Sequence, residues 1–322
     1  MSDTVSVIIP AYNAATTIDR TLDSVRAQTW RDLEIIVVDD GSSDDTAARV
    51  LRHVAEDDRI RLSVQPNGGV ARARNSGIDQ ARGALVAPVD ADDLWHPRKI
   101  ELQVAALRAG GDNVGLVYCW FAVIDDDDRI IHWGSHPRDE GDVLERMCLG
   151  NLIGNGSAPL MRRADVLACG GYDPMLRDND AQGCEDLKLY FALAERSRFA
   201  LVPQTLLGYR WSPANMSSDG RRMLRSYDLV MEPNALRHPQ HRRTFARGRI
   251  YLLDWLLERA LRYGKAAEAG AMYDELYRQD RLAALRTAVR VPKIVARRLL
   301  SRGERRPQTR FEDIEVGDAL EV

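Results

Sequence analysis

Residues 84–93 read ALVAPVDADD, a short apolar run followed at once by Asp90, Asp92 and Asp93. An apolar run of this length, preceded by a glycine, predicts a buried strand. Three carboxylates at the end of such a strand repel one another unless a cation or a proton relieves them. Their oxygens suit Mg²⁺ or Mn²⁺, usually with substrate phosphates completing the shell. Because aspartate also favours turns, a solvated loop is the alternative interpretation.

Short apolar runs alternate with helical patterns through the N-terminal half of the chain. This order predicts an α/β fold with a doubly wound, mostly parallel sheet. Parallel strands share one carboxyl edge, so Asp39-Asp40 and Asp90–Asp92 should meet in one ligand-binding crevice. The predicted strands are Val5–Tyr12, Leu33–Asp40, Ile60–Pro66 and Ala84–Asp90, with helices near Ile18–Val25, through Val54, over Gly69–Ala81 and from Pro97 onward.

The pattern changes after Gly115. Two apolar runs, Leu116–Ile124 and Arg129–Trp133, flank four aspartates and predict a small antiparallel addition, a hairpin with a solvated acidic turn. From Arg221 onward the chain is predominantly helical. We therefore predict an α/β domain over 1–218, a helical C-terminal extension over 219–300 and a charged tail over 301–322.

Composition narrows the class of protein. With 45% hydrophobic and 29% charged residues, the 322-residue chain is typical of a globular protein. It shows no secretory signal pattern and no apolar run of the ~18 residues that a membrane span needs. The cysteines at 119, 148, 169 and 184 are too widely spaced for a zinc site or a disulfide framework. We predict a cytoplasmic protein with reduced thiols.

Charge is distributed unevenly along the chain. Residues 278–310 hold eleven Lys or Arg against Asp280 and Glu304, a balance of +9, so the remaining residues sum to −12 for a net charge of −3. The residues outside 278–310, which we call the body, are acidic overall, and this argues against nucleic-acid binding. In the basic region apolar residues recur at helical spacing, and Pro292 should kink or split that helix. Either this basic amphipathic helix lies on an anionic membrane, or its apolar face packs on the body.

Several segments in order resemble the family 2 glycosyltransferases, whose fold is GT-A, and together they cover roughly residues 5–218. Each segment alone is weak, but the ordered set is specific. The region 130–182 carries little of this signature beyond Gly170–Asp173. The matching segments are Val7–Asn13, Ile36–Ser42, Asn67–Asn75, Val89–Asp93, Gly170–Asp173, Cys184–Asp186 and Tyr209-Arg210.

The first part of the resemblance concerns a nucleotide. Pro10, Ala11 and Tyr12 end the first strand, where small side chains and a ring can line a nucleobase slot. Asp40 can accept a hydrogen bond from a base N–H, because an ionised carboxylate is acceptor-only. Asp39 would support the loop that follows the second strand. Capping of the following helix is the alternative role for both aspartates.

The second part concerns a diphosphate and a metal. Arginine suits phosphate, and the resemblance favours Arg74 over Arg72, with Arg210 as a further diphosphate ligand and a surface arginine as the alternative. Asp90 would contact the ribose. Asp92 and Asp93 would hold Mn²⁺ or Mg²⁺, although the division among the three aspartates stays open.

The third part concerns proton transfer. The resemblance makes Asp186 the general base for an acceptor hydroxyl, with Glu185 orienting the acceptor or raising the pKa of Asp186. The alternative is that both carboxylates only stabilise the N-terminus of a helix, where negative charge is favourable. One base opposite the leaving group implies single displacement with inversion.

The resemblance therefore implies an inverting, metal-dependent enzyme that moves a sugar from a nucleotide-diphosphate sugar, with uridine favoured, to a glycan or lipid-linked acceptor. This reaction would belong to polysaccharide or other glycoconjugate assembly in the cell envelope, at the inner face of the membrane if the basic region binds there. A nucleotidyltransferase would bring a glycine-rich phosphate loop, which the first strand lacks. A non-catalytic sugar-nucleotide binder would be favoured if Asp40, Asp92 or Asp186 were missing, and none is.

Overall fold

The structure, a computed structural model, describes residues 4–211, 219–300 and 309–315, with the side chains of 297–300 left out. The domain boundary expected at residue 218 and most of the expected tail lie outside these ranges. In chain order the elements are β1 (Val5–Ala11), α1 (Ile18–Arg26), β2 (Leu33–Asp39), α2 (Thr46–Glu56), β3 (Ile60–Val64), α3 (Val70–Gln80), β4 (Leu85–Pro88), β5 (Leu94–Trp95), α4 (Lys99–Gly110), β6 (Val114–Ile124), β7 (Ile130–Trp133), α5 (Leu144–Met147), β8 (Leu160–Arg162), α6 (Arg163–Ala168), α7 (Met175–Asp178), α8 (Glu185–Ala194), β9 (Arg198–Arg210), α9 (Gly220–Arg237), α10 (Arg242–Arg262), α11 (Ala266–Gln279) and α12 (Arg281–Leu300).

The N-terminal strands form the predicted parallel half of the sheet. Their spatial order is β3-β2-β1-β4, and all three pairings are parallel. Every residue of β1 and β2 is buried, because helices cover both faces of a doubly wound sheet. The carboxyl ends of β1, β2 and β4 therefore lie side by side along one edge.

The second half of the sheet is mixed. β8 lies antiparallel between β4 and β6, and β6 runs parallel to the long β9. β7 pairs with β6 as the predicted hairpin, and β5 adds an antiparallel edge to β9. This mostly parallel sheet with an antiparallel addition and a helical C-terminal region is the predicted GT-A fold.

One helix begins later than predicted. Pro97 was expected to open α4, but the helix begins at Lys99. Leu94-Trp95 pairs with β9, and the Pro97 carbonyl accepts a hydrogen bond from the Thr29 amide at 2.9 Å. These contacts keep the chain out of the helical conformation for two further residues.

Helices α9 to α12 build a second apolar cluster. Leu253, Leu256 and Leu257 of α10 pack against Met272 and Leu276 of α11 in this cluster, while residues of α9 belong to the main core. Pro292 lies inside α12 without splitting the assigned helix. Within the described ranges no helix is both long and apolar enough to cross a bilayer.

Helix α12 has two apolar stripes, and the structure buries the one made of small residues. Ala284 and Thr287 are buried, and Thr287 donates a hydrogen bond to Asp254 of α10 at 2.6 Å. On the opposite side the aliphatic side chains of Leu282, Leu285 and Val289 are 66%, 57% and 80% exposed. We call these three the outer stripe. Exposed basic residues flank it, namely Arg281, Arg286 and Lys293.

Lys99, at the start of α4, is a fully buried cation without a carboxylate partner among the described residues. Its ammonium donates to Gln103 Oε1 at 2.8 Å and lies 4.1 Å from the centroid of the Trp95 ring. Burial lowers the pKa of Lys99 to about 8. The folded state therefore binds fewer protons than the unfolded state between about pH 8 and the usual lysine pKa.

This pKa shift predicts a pH-dependent stability difference for Lys99→Met. Because the folded-state pKa is lowered, the charged lysine destabilises the fold fully below about pH 8, and this penalty disappears as pH rises. The free energy of unfolding of wild type should therefore rise by roughly 2 kcal/mol relative to that of the variant between about pH 7 and 9.5, following the linkage relation. Urea unfolding of both proteins at the two pH values measures this difference. A pH-independent difference would contradict it.

Candidate active site

The carboxyl edge of the parallel half brings the predicted nucleobase residues together. Ala11 pairs with Asp39, and the Ala11 carbonyl accepts a hydrogen bond from the Asp40 amide at 2.8 Å. Pro10 and Ala11 are buried, whereas Tyr12 is 54% exposed, so its ring is free to stack on a ligand. A flat, open aromatic ring beside a buried carboxylate is compatible with the predicted base slot.

Asp40 has a structural role that the sequence did not indicate. Its carboxylate accepts from the amides of Gly68 at 2.8 Å and Gly69 at 2.7 Å, and from Gln65 Nε2 at 2.8 Å. Gly69 has φ +88° and precedes α3. Asp40 thus fixes the start of the helix that carries Arg74. Asp39 supports its own loop, as predicted from the residues, by accepting from the Ser42 amide at 2.9 Å.

Arg74 lies between the two groups of predicted carboxylates. It is buried, donates to Asp90 Oδ1 at 2.6 Å and sits 5.0 Å from the centroid of the Tyr172 ring. Burial raises the pKa of Asp186, and the positive charge of Arg74 offsets part of that rise. Arg72, by contrast, is a surface residue paired with Asp178 at 3.0 Å. Arg74 therefore pairs with the carboxylate after β4 and acts through its charge on the start of α8.

The three aspartates at 90–93 have different surroundings. Asp90 forms an ion pair with Arg74 at 2.6 Å. Asp92 is partly buried, and no other described residue donates a hydrogen bond to its carboxylate. Burial, reinforced by the nearby Asp90 charge, raises the pKa of Asp92 to about 7. A cation at Asp92 would relieve that destabilised charge.

A divalent cation fits this site only if a ligand completes its shell. Among the described residues no group of three or more His, Cys, Asp or Glu could hold a metal ion by itself. Asp92 offers an unengaged hard oxygen donor, and Mg²⁺ is often bound through one or two carboxylates plus substrate phosphates. Asp92 with a diphosphate is therefore a suitable donor set.

Asp93 and Arg210 face the protein interior. Asp93 is fully buried, and its two oxygens accept from the Arg210 amide at 2.9 Å and from Ser157 Oγ at 2.5 Å. The guanidinium of Arg210 donates to the Asp92 carbonyl at 2.8 Å and also binds Asp125 and Asp128. These contacts leave little room for a metal on Asp93 or a diphosphate on Arg210. Both residues instead brace the 90–93 loop.

The predicted base lies in the first turn of α8. Asp186 is partly buried, and its oxygens accept from Asn151 Nδ2 at 3.1 Å and the Leu187 amide at 2.8 Å. Burial raises its pKa, which suits a group that must take a proton. Glu185 points inward, is 4% exposed and accepts from the Gly183 amide at 2.9 Å. Burial also raises the pKa of Glu185.

Three residues without a predicted role also shape this site. Asn75 accepts from the Tyr172 amide at 2.8 Å and donates to the Tyr172 carbonyl at 2.7 Å, so it ties α3 to the Gly170–Asp173 segment. Asn151 orients Asp186, and Ser157 donates to Asp93 while accepting from the Asp90 amide. The run of Asn, Gly and Ser over 151–157 was the available signal for an ordered polar loop.

This chain is similar in sequence to known glycosyltransferases. Residues 6–171 match the family model for glycosyl transferase family 2. An uncharacterized glycosyltransferase of Rickettsia typhi is 37% identical over 233 residues, which are 71% of this chain and 70% of that protein. The UDP-Glc:alpha-D-GlcNAc-diphosphoundecaprenol beta-1,3-glucosyltransferase WfgD of Escherichia coli is 36% identical over 124 residues, 38% of this chain and 47% of that one.

Solved structures show the same fold at low sequence identity. S. aureus TarS 1-349 in complex with UDP superposes with a TM-score of 0.55 at 18% identity, over 94% of this chain and 92% of that one. TarS 1-349 in complex with UDP-GlcNAc gives a TM-score of 0.55 at 17% identity over 86% and 92% of the two chains. With more than half of its length matched by the family model, this chain belongs to glycosyl transferase family 2.

Proposed function

We propose that this enzyme transfers a sugar from a nucleotide-diphosphate sugar to an acceptor hydroxyl with inversion at the anomeric carbon. The observation that carries the proposal is the position of Arg74, which binds Asp90 and acts electrostatically on Asp186. A donor-binding carboxylate and a base of raised pKa therefore share one buried cation. Such an arrangement suits a reaction in which a diphosphate leaves on one side of the sugar and a proton is removed on the other.

The donor would bind along the edge formed by β1, β2 and β4. Pro10, Ala11 and the exposed ring of Tyr12 would hold the base, with Asp40 fixing the neighbouring loop. Buried Arg74 Nε lacks a hydrogen-bond partner among the described residues, so it retains a donor for a ligand. UDP is the favoured nucleotide, because WfgD is named for UDP-Glc and TarS was solved with UDP and UDP-GlcNAc.

Mn²⁺ or Mg²⁺ would bind at Asp92 together with the donor diphosphate. When bound, a divalent cation stabilises the negative charge that develops on the leaving diphosphate. Asp90 would contact the ribose while Arg74 keeps it oriented. Asp93 would hold the loop from the inside and would not touch the metal.

Proton transfer would be the task of Asp186. The acceptor oxygen attacks the anomeric carbon and forms the new C–O bond as the bond to the β-phosphate oxygen breaks. The hydroxyl proton passes to the Asp186 carboxylate, and the electron pair leaves with the nucleoside diphosphate. Asn151 and the Leu187 amide would hold the carboxylate in one orientation. Glu185 would shape the start of α8 from within.

A thermal-shift panel of sugar nucleotides with Mn²⁺ tests the donor class. Stabilisation follows the ratio of ligand concentration to dissociation constant, so a ligand at a hundredfold its Kd adds about 2.7 kcal/mol. We expect UDP and at least one UDP-sugar to raise Tm in wild type and much less in Asp40→Ala. Val64→Ala, at an exposed position of β3, is the matched control. No shift with any nucleotide would contradict the proposal.

We also propose that α12 lies on an anionic membrane surface, with the acceptor attached to a lipid. The outer stripe of α12 is exposed and flanked by cations, which is the pattern of a helix that binds at a lipid interface. Long basic side chains can reach the headgroups while their stems cover apolar surface. The name of WfgD specifies a diphosphoundecaprenol-linked acceptor. The enzyme would then work at the inner face of the membrane in envelope glycan assembly.

Co-sedimentation with vesicles tests this membrane contact. We expect binding to vesicles of phosphatidylcholine and phosphatidylglycerol at low salt, weakened at high salt and absent with pure phosphatidylcholine. Leu285→Glu combined with Val289→Glu should abolish binding, whereas Leu51→Glu at another exposed apolar position should not. If the double variant instead dissociates a dimer and vesicles never bind, the outer stripe contacts a second copy and the membrane proposal is wrong.

A further inference from the structure

Residues 309–315 pair with the acidic hairpin although they are distant from it in sequence. We call them the 309–315 strap. The Ile130 amide donates to the Thr309 carbonyl at 3.0 Å, and the Phe311 amide donates to the Asp128 carbonyl at 2.9 Å. An antiparallel bridge joins Arg129 and Arg310. The strap thus adds backbone pairing at the turn between β6 and β7.

Phe311 anchors the strap in a small apolar cluster. The residue is 2% exposed and shares a separate apolar cluster with Leu94, Ile124 and Ile130. Gly208 of β9 makes room for its ring, because a Cβ at that position would lie 2.9 Å from Phe311 Cγ. Leu94 directly follows Asp93, so the ring packs against the segment that leaves the 90–93 loop.

A polar route links the strap to the same loop. Asp128, whose carbonyl accepts from Phe311, also accepts from Arg20 Nη1 at 2.9 Å and forms an ion pair with Arg210. Arg210 in turn donates through Nε to the Asp92 carbonyl at 2.8 Å and through its amide to Asp93 at 2.9 Å. The strap therefore reaches the loop through the apolar cluster and through Asp128 and Arg210.

We infer that the 309–315 strap holds the Asp90–Asp93 loop in the geometry that donor binding needs, and that Phe311 is a positioning residue for the reaction. This inference rests on the function proposed above. The cluster around Phe311 is separate from the main core, so loss of the ring should loosen the loop without unfolding the protein. A misplacement of about 1 Å at a reacting group can cost up to about a hundredfold in rate.

Hydrogen exchange on the free enzyme tests the mechanical part of this inference without any ligand. In Phe311→Ala we expect amides over 90–96 and 124–130 to exchange at least about tenfold faster than in wild type, while those of β1 and β2 stay unchanged. Glu312→Gln, at an exposed strap position, is the matched control. Unchanged exchange over 90–96 would overturn the inference, whatever the outcome for the proposed function.

Kinetics on a UDP-sugar test the positioning part. At a temperature where both proteins are folded, Phe311→Ala should lower kcat/KM for the donor by about tenfold or more, and Phe311→Leu should restore most of it. Asp128→Asn should act on the same route, so the double variant should lose less than the product of the two single effects. Multiplicative losses, or full activity in folded Phe311→Ala, would overturn the positioning role. Wild type that never cleaves a UDP-sugar would instead contradict the proposed function.

Discussion

Asp186→Asn is expected to lower kcat by about a hundredfold or more, because it removes the group that takes the acceptor proton. UDP binding should stay near the wild-type value, since Asp186 lies at α8 and not on the strand edge that would hold the nucleotide. UDP release from a UDP-sugar, measured together with UDP affinity by titration calorimetry, separates the two effects.

The control for this experiment lies on the same helix. Glu195→Gln, just after the last turn of α8, changes a carboxylate that pairs with His238 and Arg237. It should leave kcat within about twofold of wild type, because nine helical residues place it roughly 14 Å from Asp186. If Asp186→Asn turns over normally, the base is another group. If it loses UDP binding instead, its role has been misassigned.

Loss of the metal site is expected to lower turnover about as much as the Asp186→Asn substitution does. EDTA should abolish turnover, and Mn²⁺ or Mg²⁺ should restore it, because Asp92 provides the unengaged carboxylate and the donor would provide phosphate oxygens. Asp92→Asn should lose most activity, about a hundredfold or more, if electrostatic stabilisation of the leaving group is its main contribution. The variant should remain folded, since it keeps the shape of a partly buried loop residue.

An aspartate in the acidic turn between β6 and β7 provides the control for this experiment. Asp126→Asn changes an exposed side chain in the hairpin turn and should leave the metal response intact. Full wild-type activity in EDTA would contradict metal dependence. A metal response that survives in Asp92→Asn would show that another residue binds the cation.

The parallel half of the fold could be predicted because its signals are local. Each strand of that half is a short apolar run, and β1 and β2 are buried along their whole length. Strand ends are also local features, so the shared edge at Ala11, Asp39 and Asp90 followed from chain order alone.

Partners distant in sequence could not be predicted. Residue type makes Arg210 a reasonable phosphate ligand, yet its amide binds Asp93, 117 positions earlier, and its guanidinium binds the acidic turn. In the same way Asp40 is occupied by glycine amides at positions 68 and 69. A motif identifies which residues are chemically capable of a contact but does not show which contacts the fold has already satisfied.

The orientation of α12 also depended on tertiary packing. Both of its stripes are visible in the sequence, and the larger side chains gave the stronger periodic signal. The structure buries Ala284 and Thr287 because small residues let α12 approach α10 closely, where Thr287 bonds to Asp254. The large residues Leu282, Leu285 and Val289 are therefore exposed.

The anomeric configuration of the released sugar tests the central claim most directly. Proton NMR can follow cleavage of a UDP-α-sugar by the wild-type enzyme with Mn²⁺, before the free sugar equilibrates between anomers. A single base, Asp186, opposite the leaving diphosphate predicts that the β anomer appears first. Initial release of the α anomer, or no cleavage of any UDP-sugar, would contradict single displacement at this site.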